Sequence, residues 1–273
     1  MDITNKVAVV TGGASGIGQA TCSRLARDGV RAIAVVDVSP ATAAYCEEVN
    51  GRLGQETLFP FSGDVVDAAF RERVFTEMEE RFGWVQLCVP AAGITLDRLG
   101  VKIAQQNGTP RLDIYSEADF RRVLEVDLVA PIYWALRCVG SVAIQRARRG
   151  LKQWVPEELV QGAVVLIGSV SSAGNRGQIS YATAKAGLEG AQATLAKEAI
   201  YHGVRCAIIH PGFTDTPMVR AMGEDMIRNN VLPHTQLKRL IRPEEIAEAI
   251  CFLLRNSSVS GSLWADAGWH PTA

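Results

Sequence analysis

The chain has 273 residues, of which 48% are hydrophobic, and a formal net charge of −1. This length suffices for one large α/β domain or two small ones. The near-zero net charge argues against nucleic acid or an anionic membrane surface as the partner.

Apolar runs alternate with segments of helical periodicity along the whole chain. We predict strands at 6–11, 31–37, 56–62, 84–91, 162–168, 204–210 and 261–266. Helices are predicted at 17–28, 40–52, 67–82, 117–149, 179–202 and 243–254. This pattern is typical of an α/β fold, in which a doubly wound, seven-stranded parallel sheet carries helices on both faces. Because neither internal repeats nor a low-complexity linker is visible, we expect residues 1–273 to form a single domain.

Three segments interrupt the alternation. We interpret residues 96–115, with Asn107-Gly108-Thr109-Pro110, and residues 146–161, with Gly150 and Pro156, as surface insertions. The second insertion begins with a basic cluster that we interpret as the solvated end of a helix: Arg146, Arg148, Arg149 and Lys152. Residues 214–240 could form a lid over a substrate, a short helix packed on the core, or both. Their apolar side chains are Met218, Met222, Met226, Ile227 and Leu232.

Cysteine and histidine spacing predicts no metal site. The six cysteines include no Cys-x-x-Cys pair, and the four histidines, His270 among them, lack ligand spacing. We expect buried, reduced cysteines in a cytoplasmic protein. The first apolar run is too short for a signal peptide, and no run approaches the length of a membrane span.

The most informative stretch is Thr11–Gly18, which follows a strand-like run and opens a helical segment. Gly12, Gly16 and Gly18 allow a sharp turn with no side chain between backbone and ligand, and Ser15 and Ile17 complete the loop. The helix that begins here directs free N–H groups at the turn, which suits a pyrophosphate. Asp37 ends the next apolar run, at the spacing of an acid that binds a ribose hydroxyl. The pattern predicts a dinucleotide site.

A second group of polar residues follows a later strand. Tyr181 and Lys185 lie one helical turn apart on one helix face, just after the serine-rich run Ser169–Ser172 that ends strand 162–168. Ligands of open parallel sheets bind at the carboxyl ends of the strands. We therefore expect Tyr181 and Lys185 to lie near the dinucleotide.

These motifs, in this order, resemble those of the short-chain dehydrogenase/reductase family, over nearly the whole chain. The matching residues are Thr11–Gly18, Asp64-Val65, Ala92-Gly93, Ser169, Tyr181, Lys185, Pro211-Gly212, Thr216 and Asp266-Ala267-Gly268. The runs Ile167–Lys185 and Arg242–Ala247 are most similar to 3-oxoacyl-carrier-protein reductases. The resemblance implies a Rossmann-type domain and hydride transfer between NAD(H) and a ketone or secondary alcohol, with 3-oxoacyl and 3-hydroxyacyl compounds among the candidate substrates.

The resemblance also implies individual roles. Tyr181 would be the acid/base and Lys185 would lower the pKa of its phenol and hold the nicotinamide ribose. Ser169 would orient the carbonyl oxygen, with Ser171 and Ser172 as alternatives. The remaining cofactor contacts would be Asp64 and Val65 at the adenine, Ala92 and Gly93 below the ribose, and Pro211, Gly212, Phe213 and Thr216 around the nicotinamide or a phosphate.

Three positions depart from the family pattern. Pro90-Ala91 replaces two asparagines, which puts the bracing of the central strand in doubt, and Asp266-Ala267-Gly268 replaces Asp-Gly-Gly. Asp127 replaces an asparagine that, in the family, holds a water linking the lysine to solvent. An anion near Lys185 would offset part of the ammonium's effect and raise the pKa of Tyr181.

The carboxylate of Asp37 predicts which nicotinamide cofactor the protein prefers. A 2′-phosphate beside Asp37 would meet a carboxylate, and neither the glycine loop nor Val38-Ser39 supplies a cation, so we expect NAD to be preferred over NADP. The apolar lid residues and Trp154 suggest an apolar ketone or alcohol, an acyl thioester being possible; the basic cluster could then attract a phosphopantetheine carrier.

The apolar stripe on segment 117–149 and the family resemblance predict a homo-oligomer, tetrameric or dimeric. A non-catalytic dinucleotide-binding or regulatory protein on the same fold is the alternative function.

Overall fold

The computed structural model describes residues 1–269, and a seven-stranded parallel sheet runs through its centre. The predicted doubly wound α/β fold is confirmed. The strands of this sheet, in the spatial order β3-β2-β1-β4-β7-β8-β9, are β1 (Val7–Thr11), β2 (Ala32–Asp37), β3 (Leu58–Ser62), β4 (Leu87–Pro90), β7 (Gly162–Ile167), β8 (Val204–Pro211) and β9 (Ser262–Ala265). Two further strands, β5 (Val101–Gln106) and β6 (Thr109–Ile114), form a separate antiparallel pair.

Helices cover both faces of the large sheet. They are α1 (Gly16–Arg27), α2 (Thr42–Leu53), α3 (Ala68–Phe82), α4 (Glu117–Leu124), α5 (Ala130–Arg148), α6 (Ile179–Ala199), the short α7 (Pro217–Arg220) and α8 (Glu224–Met226), and α9 (Pro243–Arg255). Alternate residues of each strand enter opposite cores. Val7 and Val9 pack with α3, α5 and α6, whereas Ala8 and Val10 pack with α1, α2 and α9. The six cysteines are buried and unpaired.

The segment 96–115 is more regular than the sequence reading suggested. We described it as a polar surface insertion, but residues 101–114 form the β5–β6 hairpin. Asn107 and Gly108 both have positive φ, at 52° and 74°, as a tight hairpin turn that matches strand twist requires. Val101 and Ile103 alternate with polar residues, a period-2 signal that the polar overall composition concealed.

The predicted helix 117–149 contains a π-helical turn, Glu125–Val129, between α4 and α5. Pro131 has no N–H to donate to the carbonyl of Asp127, four residues earlier, so a regular α-helical turn is disfavoured there. The N–H of Ala130 instead bonds to the carbonyl of Glu125, five residues back. By length and composition residues 117–148 could cross a membrane, contrary to our reading of the sequence, but half of the most apolar window is buried inside the protein, as in a core helix.

The second insertion is anchored by a buried arginine, which corrects the interpretation of the basic cluster as solvated for Arg146 alone, since Arg148, Arg149 and Lys152 are exposed. Arg146 is 2% exposed and forms an ion pair with Glu158, while the Arg149 guanidinium lies 4.9 Å from the centre of the Trp84 ring. The cluster precedes β7 and therefore lies at the opposite end of that strand from Ser169. Trp154 packs beside Gly203 rather than lining a ligand cavity.

Candidate active site

At two positions of the glycine loop between β1 and α1, a side chain would collide with backbone. A Cβ on Gly12, where φ is 63°, would lie 2.8 Å from the Cα of Ala92. One on Gly18 would lie 2.1 Å from the carbonyl oxygen of Gly12. The loop therefore presents bare backbone at the start of α1, where N–H groups and the helix dipole favour an anion.

A continuous groove runs from this loop along the carboxyl ends of the strands to Tyr181 and Lys185. It brings together nearly all the residues predicted to contact a cofactor: Gly12, Ser15, Gly16, Ile17, Gly18, Asp37, Asp64, Val65, Ala92, Gly93, Tyr181, Lys185 and Thr216. Pro211, Gly212 and Phe213, at the end of β8, line the adjoining cavity. The bare glycine cradle at one end and the acid at Asp37 fit a dinucleotide.

Asp37 is held in place by two backbone amides. Its carboxylate oxygens accept hydrogen bonds from the N–H groups of Ala14 and Ser39, each at 3.0 Å. These bonds fix the carboxylate against the glycine loop, so it faces any ribose bound beside that loop.

The end of β4 is braced by Thr11, although the family's two asparagines are missing. The N–H of Ala91 donates to the Thr11 carbonyl, and the N–H of Ala92 donates to the Thr11 hydroxyl, both at 3.1 Å. After β3, the carbonyl of Val65 accepts a hydrogen bond from the indole N–H of Trp134 at 2.9 Å. Asp64 is exposed.

Ser169 lies at the junction between β7 and the following 3₁₀ turn. Its hydroxyl oxygen accepts the N–H of Ser171 at 3.0 Å, and its side chain acts to lower the pKa of Tyr181. The Ser171 hydroxyl donates instead to the Gln178 side chain at 2.8 Å, and Ser172 is absent from the cavity walls formed by the described residues. The geometry thus favours Ser169 among the three serines.

Lys185 is buried beside both Tyr181 and Asp127. Its Nζ donates to the Ile167 carbonyl at 3.1 Å, lies 5.3 Å from the centre of the Tyr181 ring and is 3.4 Å from Oδ2 of Asp127. Burial alone would lower the pKa of Lys185, but the negative charge of Asp127 and the neighbouring Tyr181 hold it above its ordinary value. Lys185 is therefore a persistent cation.

Asp127 is completely buried in the π-helical turn. Its Oδ1 accepts the N–H of Ile94 at 2.8 Å, and its Oδ2 faces Lys185. Burial raises the pKa of Asp127, while Lys185 and the Ile94 amide oppose that shift. The carboxylate thus links the loop after β4 to the lysine.

Burial raises the pKa of Tyr181 in the cofactor-free protein. Lys185 and the Ser169 hydrogen bond lower it, whereas Asp127 raises it further. Lys185 lowers the pKa of Tyr181, as we expected, but the effect of burial is larger. Asp127 raises the pKa of Tyr181, which is also the expected direction.

Beyond Tyr181 lies a second cavity with one apolar and one polar wall. Phe213, Met218 and Met222 form part of the apolar wall. Met226 and Leu232, which we also assigned to a lid, are not among its described lining residues, and Ile227 is buried. Segment 214–240 therefore both packs on the core and borders the cavity.

The polar wall contains residues that the sequence analysis missed. The Gln178 amide donates to Asp97 at 2.7 Å, and its carbonyl oxygen accepts from Ser171 and Asn175. Asp97 follows the Ala92-Gly93 loop by a few residues, and Gln178 directly precedes α6. Their closeness in sequence to the Ala92-Gly93 loop and to Tyr181 is the signal that could have identified them as site residues. Among residues 1–269, no group of three or more His, Cys, Asp or Glu side chains could hold a metal ion; His270 lies outside these residues.

Comparison with known proteins identifies the family. Residues 12–270 match the family model described as enoyl-(acyl carrier protein) reductase. Acetoacetyl-CoA reductase of Allochromatium vinosum is 32% identical over 93% of this chain and 92% of its own. The 3-oxoacyl-[acyl-carrier-protein] reductase of Escherichia coli is 31% identical over 93% and 91%. The (3R)-3-hydroxyacyl-CoA dehydrogenase of Canis lupus familiaris is 29% identical over 94% and 92%.

These matches extend over the glycine loop, the groove and the helix that carries Tyr181 and Lys185. They favour an enzyme over the alternative of a non-catalytic binding protein. The chain therefore belongs to the short-chain dehydrogenase/reductase family and is an oxidoreductase that interconverts hydroxyl and carbonyl groups with a nicotinamide dinucleotide.

Proposed function

We propose that the protein transfers a hydride between NAD(H) and a 3-oxoacyl or 3-hydroxyacyl thioester, or a similar apolar ketone or alcohol, with Tyr181 as the acid/base. One observation carries the proposal. Tyr181 lines both the dinucleotide groove and the second cavity, so its phenol borders both spaces. A group at that junction can exchange a proton with a substrate while the groove holds the cofactor.

Each polar side chain at the junction has a separate task. A bound nicotinamide supplies the hydride or accepts it. The Tyr181 hydroxyl gives a proton to the carbonyl oxygen in reduction and takes one from the hydroxyl in oxidation. Ser169 donates a hydrogen bond to that oxygen and orients it, and the Lys185 ammonium favours the phenolate form of Tyr181.

Two features support NAD as the preferred cofactor. The Asp37 carboxylate is fixed beside the loop by Ala14 and Ser39, where a 2′-phosphate would be repelled. Ser15 and Val38, which line the same part of the groove, carry no positive charge to compensate. A preference of at least tenfold, about 1.4 kcal/mol, follows.

The walls of the second cavity support a neutral, largely apolar substrate. Phe213, Met218 and Met222 offer apolar contact, and Asp97 at the mouth disfavours an anion nearby. An acyl thioester meets both requirements, and three of the relatives carry acyl-CoA or acyl-carrier-protein names. The basic cluster gives little support to carrier recognition, because Arg146 forms an ion pair with Glu158 and the cluster lies at the opposite end of β7 from Ser169.

We also propose a cytoplasmic homo-oligomer, a tetramer or dimer. The free, buried thiols suit a reducing compartment. Half of the stripe on segment 117–149 is buried within the subunit and the other half is partly buried, so the stripe by itself gives weaker support for assembly than its sequence suggested. Sedimentation would determine the oligomeric state.

Replacing Tyr181 by phenylalanine tests the proposed function. NADH oxidation is followed at saturating acetoacetyl-CoA for the wild type, Tyr181→Phe and the matched control Tyr201→Phe, which alters an exposed tyrosine. We expect Tyr181→Phe to lose about 10²–10⁴-fold in kcat while NADH binding, measured by fluorescence, is retained. Substantial residual turnover in Tyr181→Phe, or no wild-type turnover with a panel of ketones and thioesters, would contradict the proposal.

A further inference from the structure

The β5–β6 hairpin has an apolar face that its own subunit leaves uncovered. Cross-strand pairing joins Val101 to Ile114 and Ile103 to Leu112, and successive strand residues point to opposite sides. These four side chains therefore share one face, and each is 61–64% exposed. Together they expose a few hundred Å² of aliphatic surface, the size of patch that in soluble proteins marks an interaction site.

The opposite face of the hairpin is polar. It carries Lys102, Ala104 and Arg111, which are exposed, and Asp113, which forms an ion pair with Arg98 at the base of the hairpin. Water can solvate this polar face, whereas the apolar face has no partner within the described residues of the subunit. An isolated two-stranded hairpin is only marginally stable in water.

The base of the hairpin is continuous with the substrate cavity. Thr95 and Asp97 line that cavity, and the N–H of Arg98 donates to the Gly177 carbonyl at 2.8 Å. At the other end, the Tyr115 hydroxyl lies 2.9 Å from that of Ser180, just before Tyr181. A contact made on the hairpin would therefore lie next to one wall of the cavity.

We propose that the apolar face of β5–β6 packs against the same face of a second copy of this chain across a two-fold axis. A second copy presents an identical face, so a two-fold axis can place the four aliphatic side chains of one hairpin against those of the other. A face that carries aliphatic groups and no charge is self-complementary under two-fold symmetry, whereas a charged partner would find no opposite charge on it. Since a standard interface buries roughly 800 Å² per partner, the hairpin supplies part of this contact.

Disulfide trapping tests the two-fold contact directly. The six native thiols are buried, so an introduced cysteine is the reactive one. Single variants Ile103→Cys and Leu112→Cys alter the apolar face, and Lys102→Cys is the control on the opposite face of the same strand. After mild oxidation at micromolar protein concentration, we expect covalent dimers from at least one apolar-face variant and none from Lys102→Cys. Equal trapping of all three, or of none, overturns the proposal.

The mass of the oligomer provides a second test of the two-fold contact. The double variant Ile103→Ser/Leu112→Ser should halve the particle mass measured by sedimentation, while Lys102→Ser/Arg111→Ser, on the polar face, should leave it unchanged. All four positions are exposed in the subunit, so the subunit fold should persist, as circular dichroism would verify. A monomeric wild type, or an unchanged mass in the apolar-face variant, would equally refute the two-fold contact.

Discussion

Asp127→Asn should shift the pH dependence of alcohol oxidation toward lower pH. The Asp127 carboxylate lies 3.4 Å from Lys185 Nζ and raises the pKa of Tyr181. Oxidation requires the phenolate to accept the hydroxyl proton. Removing the negative charge stabilises the phenolate, so the catalytic form should appear at a lower pH.

The size of the shift follows from the separations. Nζ of Lys185 is 3.4 Å from Asp127 Oδ2 and 5.3 Å from the centre of the Tyr181 ring. The carboxylate oxygen thus lies within about 9 Å of the ring, where two unit charges interact by about 2 kcal/mol at an effective dielectric constant of about 20. Since one pKa unit corresponds to about 1.4 kcal/mol, and the open groove adds solvent screening, we expect a shift of about half to one unit.

The assay is kcat against pH for oxidation of 3-hydroxybutyryl-CoA with saturating NAD. Glu125→Gln is the matched control, because Glu125 lies in the same π-helical turn but is exposed, where water screens its charge. The wild type and Glu125→Gln should share one profile, and the Asp127→Asn profile should lie at lower pH. Coincident profiles for all three proteins, or a shift of Asp127→Asn to higher pH, would refute the electrostatic role.

Three further substitutions test other parts of the site. Asp37→Asn should narrow the preference for NAD over NADP, chiefly by raising kcat/KM for NADP; equal wild-type values for both cofactors would contradict the role of this acid. Asp97→Asn should raise kcat/KM for free acetoacetate several-fold while leaving that for its neutral ethyl ester unchanged, because a carboxylate at the cavity mouth repels an anion. Gly18→Ala should abolish NADH binding, since the new Cβ would lie 2.1 Å from the Gly12 carbonyl oxygen; Gly51→Ala, where a Cβ meets open space, should bind NADH normally.

Much of the site could be predicted because parallel strands end at one edge of the sheet. Thr11, Asp37 and Pro211 end β1, β2 and β8, and Ser169 follows β7 within two residues. Strand order along the chain is therefore enough to bring these positions together. Continuous apolar runs located the strands of the large sheet, and helical periodicity located the helices, to within a few residues. Their first and last residues depend on hydrogen bonds that a sequence does not display.

The features that the sequence did not reveal depend on contacts between distant segments. The basic neighbours of Arg146 suggest a solvated side chain, but Arg146 is buried and paired with Glu158, twelve residues later. The link from Gln178 to Asp97 joins residues 81 positions apart. The π-helical turn did have a local cause in Pro131, but periodicity cannot distinguish it from continuous helix, because a single wide turn barely displaces the apolar stripe.

The location of Asp127 bears on the direction of the reaction. A phenol whose pKa is raised remains protonated near neutral pH, which is the form that donates a proton to a carbonyl oxygen. The same shift reduces the fraction of phenolate available to accept a proton from an alcohol. An asparagine here would be neutral, so we expect the aspartate to favour reduction over oxidation near neutral pH. The Ile94 amide and Lys185 offset part of the cost of burying this carboxylate.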